Sequence, residues 1–313
     1  MDFVNFEFQT ESRGCPVCSN SSFRILSQEG IFELCCCKNC GMLYTRNPPT
    51  IDSKKMFYEA MACRRKDTAG AIGVAHYTLA NQIKSIPLYS QALCAIRNHF
   101  PNGTVNIVDV GCAGGLFLLG AQVVENAFNI DKPSRFNVRG VAFESREQRD
   151  TERYTGAETF MIEEAGEKLR NWADIVTIFN VLEHVNDPGR CLETVNLMLR
   201  TGGLVFVDVP NSFVLALRGR VLRRWPHLDL HEHINHFTPR RLDVLMRRQG
   251  FDCDSHLPGL VQGASGFGSR PTMKQWARWL VASILFLATR QRLQVFPHMT
   301  TVYIRKPGGG AKR

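Results

Sequence analysis

From residue 104 onward, short runs of β-branched and aromatic residues alternate with stretches whose apolar positions recur at helical spacing. Val105-Asn106-Ile107-Val108-Asp109-Val110 reads as a strand and Gly111-Cys112-Ala113-Gly114-Gly115 as a tight turn. Leu116, Leu118, Leu119 and Val123 then mark a helix. The alternation continues with a strand over Asn137–Glu144, a helix over Arg146–Tyr154 and a short strand over Thr159–Ile162. A buried strand over Asp174–Asn180, a helix over Gly189–Leu199 and another buried strand over Leu204–Val209 complete the series. Strands that alternate with helices predict a parallel, doubly wound sheet, whose ligands bind at the carboxyl ends of the strands.

The pattern is different before residue 104. Ser22–Leu26 and Ile31–Cys36 read as two short strands, and Asn47-Pro48-Pro49-Thr50 punctuates the chain at a boundary. Beyond it, Lys54–Arg65 and Tyr77–Phe100 read as helix, with Pro87 kinking or dividing the second. Core or lid packing is the plain reading for Tyr58 and Tyr77. Three segments follow: 1–48, 49–103 as a helical linker or lid, and 104–313.

Composition narrows the class. The 313 residues are 44% hydrophobic, enough for one large α/β domain with a small appendage. The first residues carry acids where a secretory leader would be basic, and no apolar run reaches the roughly 18–20 residues of a membrane span. The expectation is a cytoplasmic protein, in which 11 cysteines serve as thiols or metal ligands. Cys15-Pro16-Val17-Cys18 and Cys37-Lys38-Asn39-Cys40 are separated by 18 residues, within the four-cysteine zinc pattern. Four thiolates close a tetrahedron, so the expected ion is a structural zinc held by Cys15, Cys18, Cys37 and Cys40 in a zinc ribbon. Cys35 and Cys36 are surplus, since only Cys37 stands in register with Cys40 and the following glycine.

Glycines in a strand-to-helix turn let the backbone approach a ligand closely, and an acid closing the next strand, Glu144, can accept two hydrogen bonds from a ribose diol. The long interval from Gly111 to Glu144 is read as an insertion around Asn126–Asn137. A nicotinamide-binding fold would explain the glycines equally well. The segment Asn180-Val181-Leu182-Glu183-His184-Val185 separates the two readings. Together with Asp109-Val110-Gly111-Cys112-Ala113-Gly114-Gly115 and Glu144, it resembles the class I S-adenosylmethionine-dependent methyltransferases over roughly residues 75–307. Ala113 stands where many members have glycine.

The resemblance implies a seven-stranded Rossmann-like methyltransferase sheet, with Phe251–Leu257 as the sixth strand and Met299–Pro307 as an antiparallel seventh. It implies S-adenosyl-L-methionine as cofactor, bound by Asp109, Gly111, Ala113, Gly115 and Glu144, with Asn180 and Leu182 close by and Glu163 near the adenine. His231-Glu232-His233-Ile234-Asn235-His236 is similar to a segment of a small-molecule subgroup associated with sugar pathways, some of whose members carry a four-cysteine zinc domain. His233 or Glu232 is then the expected general base. The alternatives are that His231, His233 and His236 cap the next helix or bond in the core, or that the cluster binds zinc, which lacks a supporting ligand spacing.

Charge and one further segment complete the reading. Residues 213–313 hold 17 Lys and Arg against 5 Asp and Glu, which points to an anionic partner: a phosphate-bearing acceptor, an acidic lipid surface or RNA. Met273–Arg292 combines Trp276 and Trp279 with an apolar run and flanking cations. It reads either as an interfacial helix at the inner membrane surface or as one buried against the protein or a second subunit in a homodimer. The expected function is methyl transfer to a small-molecule acceptor, a sugar or a nucleotide- or lipid-linked glycosyl intermediate. The alternatives are an RNA methyltransferase and a methyltransferase-like binding protein.

Overall fold

The computed structural model describes residues 6–57, 60, 85–128, 135–212, 230–257, 280, 281, 284, 288 and 298–307. Its centre is a seven-stranded sheet. The strands are β4 (Val105–Val110), β5 (Phe136–Ala142), β6 (Thr159–Met161), β7 (Ala173–Phe179), β8 (Leu199–Pro210), β10 (Phe251–Leu257) and β11 (His298–Arg305). Their order is β10-β11-β8-β7-β4-β5-β6. All pairs are parallel except the two made by β11, which is antiparallel to both β8 and β10. The strand order reverses between β4 and β7, and this switch point opens a crevice at their carboxyl ends.

Alternation along the strands sorts the core into two layers. Val108, Val110, Val176, Ile178, Val205 and Val207 face α4 (Ile162–Lys168), α5 (Pro188–Met198) and α6 (Pro239–Arg248). Ile107, Ile175, Leu204 and Phe206 face α1 (Ile86–His99) and α2 (Leu116–Phe128). Strand β7 is buried at all seven positions, as a strand covered on both faces must be. Asp187 caps α5, its carboxylate accepting from the Arg190 amide at 2.9 Å. Pro188 opens α5 and Pro87 lies in the first turn of α1, where a missing N–H costs nothing. Helix α3 (Ser145–Thr155) ends on Gly156 in the left-handed region.

The N-terminal residues are built into this body. Strands β1 (Phe23–Glu29) and β2 (Phe32–Cys37) form the expected hairpin, and β3 (Leu43–Thr45) extends it. Strand β3 then pairs with β9 (Asn235–His236) through Leu43↔His236 and Tyr44↔Asn235. Cys15, Val17, Met42 and Tyr44 share one apolar cluster with Val176, Val207 and Leu242 of the large sheet and its helices. Sequence periodicity missed three short elements, α4, β3 and β9, each too brief to carry a period.

Among the described residues, no helix is long and apolar enough to cross a membrane. Of the 273–292 segment, only Leu280, Val281, Ile284 and Ala288 are described; they are helical and exposed. Trp276, Trp279, Tyr58, Tyr77 and residues 129–134 lie outside the described residues.

Candidate functional site

At the end of β4 the chain turns through Gly111, Ala113 and Gly115, with φ of 73°, 47° and 75°. The left-handed region suits glycine, and Ala113 occupies it as a non-glycine residue, which costs about 1 kcal/mol of strain. Thr151 of α3 donates to the Ala113 carbonyl at 2.7 Å and pins the turn. A side chain at Gly111 would overlap Val181 Cγ2, so the glycine is required by the closeness of the β4 and β7 turns. Gly115 has an equivalent role against Thr155 of α3.

Asp109 sits buried at the switch point and accepts from Thr177 Oγ1 of β7 at 2.6 Å. Burial pushes its carboxyl up to about 7, and the Thr177 hydrogen bond opposes the rise. Glu144, half-buried, follows β5 and occupies the N-cap position of α3. Asn180, directly after β7, has a φ of 56° and donates its amide to the Asp208 carbonyl at 2.9 Å. Glu163 is exposed in the first turn of α4. Leu182 is fully buried in the core cluster, so only its backbone is available to a ligand. The cradle therefore offers a narrow backbone turn between two carboxylate-bearing strand ends, which fits an adenosyl ligand with a ribose diol and an amino-acid tail.

Beside it, the segment after β7 meets the run into β9. The amides of Ile234 and Asn235 both donate to the Glu183 carbonyl, at 2.8 and 3.1 Å. This pairing brings together Glu183, His184 and His233, whose ligand-type atoms all lie within 4.8 Å of one another. The His184 and His233 rings meet edge to face at 4.7 Å between centroids. His184 Nδ1 lies 2.9 Å from the Glu232 carbonyl. A carbonyl only accepts, so Nδ1 carries the proton and Nε2 is left as the acceptor. Glu183 is 2% exposed and its Oε2 has no hydrogen-bond partner among the described residues. Burial, with a smaller push from Asp208 and partly offset by a backbone hydrogen bond, raises its carboxyl to about 8. Three such groups can share a proton, or hold a divalent ion; the ligand partners that sequence spacing did not reveal for His233 are Glu183 and His184.

The other two histidines are structural. His231 packs among the rings of Phe8, Phe32 and Phe57, at 5.3, 6.1 and 5.5 Å. His236 is buried on β9, and burial lowers its imidazole to about 3, so it stays neutral.

At the N-terminus, Cys15, Cys18, Cys37 and Cys40 come together with all sulfurs within 4.8 Å, and the Cys15–Cys40 and Cys18–Cys37 pairs stand at 3.5 Å. A tetrahedral zinc with bonds of about 2.3 Å needs S···S edges of about 3.8 Å. The two loops are alike: Ser19 N donates to the Cys15 carbonyl and Gly41 N to the Cys37 carbonyl, both at 2.8 Å. Ser19 and Gly41 are both left-handed, at φ of 57° and 73°. Cys35 and Cys36 belong to β2 and lie outside the cluster. The donor set fits one zinc ion. Beside it, Arg24, Lys38, Arg240 and Arg241 line a cavity of about 590 Å³ with Asn39 and Gly41.

Several residues near the site carried no signal in the sequence. Lys54 Nζ donates to the His184 carbonyl at 2.7 Å and to Asn186 Oδ1 at 2.8 Å. Burial, helped by Arg13, lowers its ammonium to about 7. Asp208 on β8 accepts from Thr300 Oγ1 at 2.7 Å, with His298 Nδ1 at 3.2 Å. These contacts join residues 90 or more positions apart, which no local spacing can announce.

A family model described as a methyltransferase domain matches residues 64–256. A ubiquinone biosynthesis O-methyltransferase of Ruegeria sp. (strain TM1040) is 30% identical over 247 residues, covering 73% of this chain and 91% of that protein. One of the same name from Caulobacter vibrioides is 27% identical over 192 residues, covering 59% and 71%. Among solved structures, an S-adenosylmethionine-dependent methyltransferase from Methanosarcina mazei aligns with a TM-score of 0.44 at 18% identity, covering 68% of this chain and 97% of that one. Another from Mesorhizobium loti gives 0.43 at 19% identity, covering 67% and 96%. The family match spans more than half of the chain and coincides with the sheet order and the β4 and β7 turns: this protein belongs to the class I S-adenosylmethionine-dependent methyltransferases.

Proposed function

We propose that this enzyme methylates a hydroxyl oxygen of a small anionic acceptor, a sugar or a nucleotide- or lipid-linked glycosyl unit, with His233 as the proton acceptor. The observation that carries the reading is the contact of Glu183, His184 and His233 beside the β7 turn. When bound, S-adenosylmethionine supplies a methyl group activated by a sulfonium. The protein must align the acceptor, exclude water and take up the hydroxyl proton. His233 takes that proton as the new oxygen–carbon bond forms. His184, fixed by the Glu232 carbonyl, stands against the resulting imidazolium with Nε2 as the acceptor that can receive its proton, and Glu183 completes the contact. His233 is preferred over Glu232 because it is His233 that stands within the cluster.

Oxygen as the acceptor atom is supported by the relatives, which are named as O-methyltransferases, one at 30% identity. The anionic character is supported by the basic balance of residues 213–313, 17 Lys and Arg against 5 Asp and Glu. Zinc at Cys15, Cys18, Cys37 and Cys40 has a structural role in this reading. The test is transfer of labelled methyl from S-adenosylmethionine to a panel comprising a nucleotide-linked hexose, an ortho-dihydroxybenzene and a short RNA. Label in a hydroxyl of the nucleotide-linked hexose, lost on His233→Ala, is the expected result, and label in the dihydroxybenzene alone would overturn the glycosyl acceptor. Label in the RNA alone would overturn the proposal.

A further inference from the structure

Arg13 lies two residues before the first cluster cysteine, yet its guanidinium ends in the methyltransferase site. Its Nε donates to the Thr45 carbonyl of β3 at 3.0 Å. Nη1 donates to the Asn186 carbonyl at 2.7 Å, beyond β7. Nη2 donates to the Ile234 carbonyl at 2.7 Å and to Asn235 Oδ1 at 2.9 Å, at β9. The guanidinium thus joins three stretches of chain. It also lies over the buried Tyr44 ring, 5.7 Å from its centroid.

Asn235 continues the connection. Its Nδ2 donates to the Leu182 carbonyl at 2.8 Å and to the Val185 carbonyl at 2.7 Å. Residues 182–186 and 234–235 are therefore tied by Arg13 from one side and by Asn235 from within. Glu183 and His184 hang on the first stretch, and His233 immediately precedes the second. These acceptors of Arg13 are carbonyl and amide oxygens, so the residue is read by the shape of its planar fork rather than by a countercharge. A lysine, with one compact donor centre, cannot reach all three stretches at once.

We infer that Arg13 is a positioning residue for methyl transfer, holding the two stretches at the separation that keeps Glu183, His184 and His233 in contact and coupling them to the four-cysteine cluster. The inference rests on the proposed role of that cluster of side chains. It also gives the N-terminal segment a role in the reaction: the cysteine cluster anchors the residue that sets the geometry of the site. A misplacement of about 1 Å can cost a methyl-transfer geometry about 10²-fold in rate.

The test uses the full chain with its metal content intact, and reads the imidazole resonances of isotopically labelled histidine against pH. The reporters are His184 and His233, whose rings meet edge to face. In Arg13→Ala, both curves should move, by about half a pH unit or more. Guanidinium chloride well below denaturing concentration should fill the vacated space and restore the wild-type curves. Arg13→Lys, which retains charge and stem, should show the displaced titration without responding to guanidinium. Adenosylmethionine affinity by calorimetry should stay within about threefold of wild type in both variants, since the β4 turn is untouched. Unchanged His184 and His233 titration in either variant overturns the inference. So does a displacement that guanidinium never reverses in a folded Arg13→Ala protein, because that would mark a merely structural loss. If Arg13→Ala does not fold, Arg13→Lys alone decides, by its titration curves. The underlying reading fails separately: His233→Ala retaining full turnover on the methylated panel compound would remove the base and leave the Arg13 contacts standing.

Discussion

Gly111 and Val181 meet across the switch point, so closely that a β-carbon on Gly111 would overlap the Val181 side chain. The turn after β4 and the turn after β7 are thus one packed unit, which places the proposed cofactor turn against the segment that carries the proposed base cluster. Gly111→Ala combines this overlap with an unfavourable φ of 73°. It should cost about 1–3 kcal/mol. Val181→Ala in the same chain should recover the steric part only, leaving the backbone strain. Thermal denaturation of the two single variants and the double variant measures both contributions.

Asp109 and Glu183 are carboxyls whose folded-state values lie above their unfolded ones, at about 7 and about 8. The folded protein therefore holds their protons more tightly than the unfolded chain. Their cost is absent below about pH 4, grows as pH rises and levels off above the folded values. Stability should fall between about pH 4 and 8 in the wild type from these two groups. Asp109→Asn should remove about half of that fall in a series of melting curves and gain up to about 4 kcal/mol at about pH 8. It should also weaken cofactor binding. A variant that follows the wild-type pH dependence would show that Asp109 ionises freely.

The cysteine cluster should carry about one zinc per chain by elemental analysis. Cys40→Ser should lose most of the metal and loosen β3 and β9 together, since Leu43↔His236 and Tyr44↔Asn235 pair them. Hydrogen exchange at those strands reports it. A Cys40→Ser protein with wild-type zinc content would place the ion elsewhere.

The order of strands and the chemistry-bearing turns were legible in the sequence because each is local. Asp109 to Gly115 is a run of seven residues, and Cys15/Cys18 and Cys37/Cys40 repeat one loop. What was not legible is how the pieces meet. His233 was singled out by its neighbours in sequence, but its partners Glu183 and His184 arrive through two backbone hydrogen bonds from Ile234 and Asn235. Nothing in the sequence marks Arg13, and only the fold shows its fork on Asn186 and Ile234. The 590 Å³ cavity likewise draws Arg24 and Lys38 from the N-terminal hairpin and Arg240 and Arg241 from α6.

Leu280, Val281 and Ile284 are all more than half exposed, and with Ala288 they follow helical spacing. We propose that this face makes the peripheral contact with an anionic membrane surface. Liposome co-sedimentation should then show binding that requires anionic lipid, weakens with salt and drops on Leu280→Gln plus Ile284→Gln. No binding at low salt would instead assign the face to a second subunit or to the protein itself.

As proposed, cofactor binding and proton removal belong to separate, adjoining groups, Glu144 and the β4 turn on one side and His233 on the other. Calorimetric titration of S-adenosylmethionine into the wild type, Glu144→Ala and His233→Ala measures this most directly. The expected result is a loss of about tenfold or more in affinity for Glu144→Ala, as a carboxylate acceptor of hydrogen bonds is removed, with His233→Ala binding like the wild type. Undiminished binding by Glu144→Ala would remove Glu144 from the cofactor site, and an equal loss in both variants would merge the two groups.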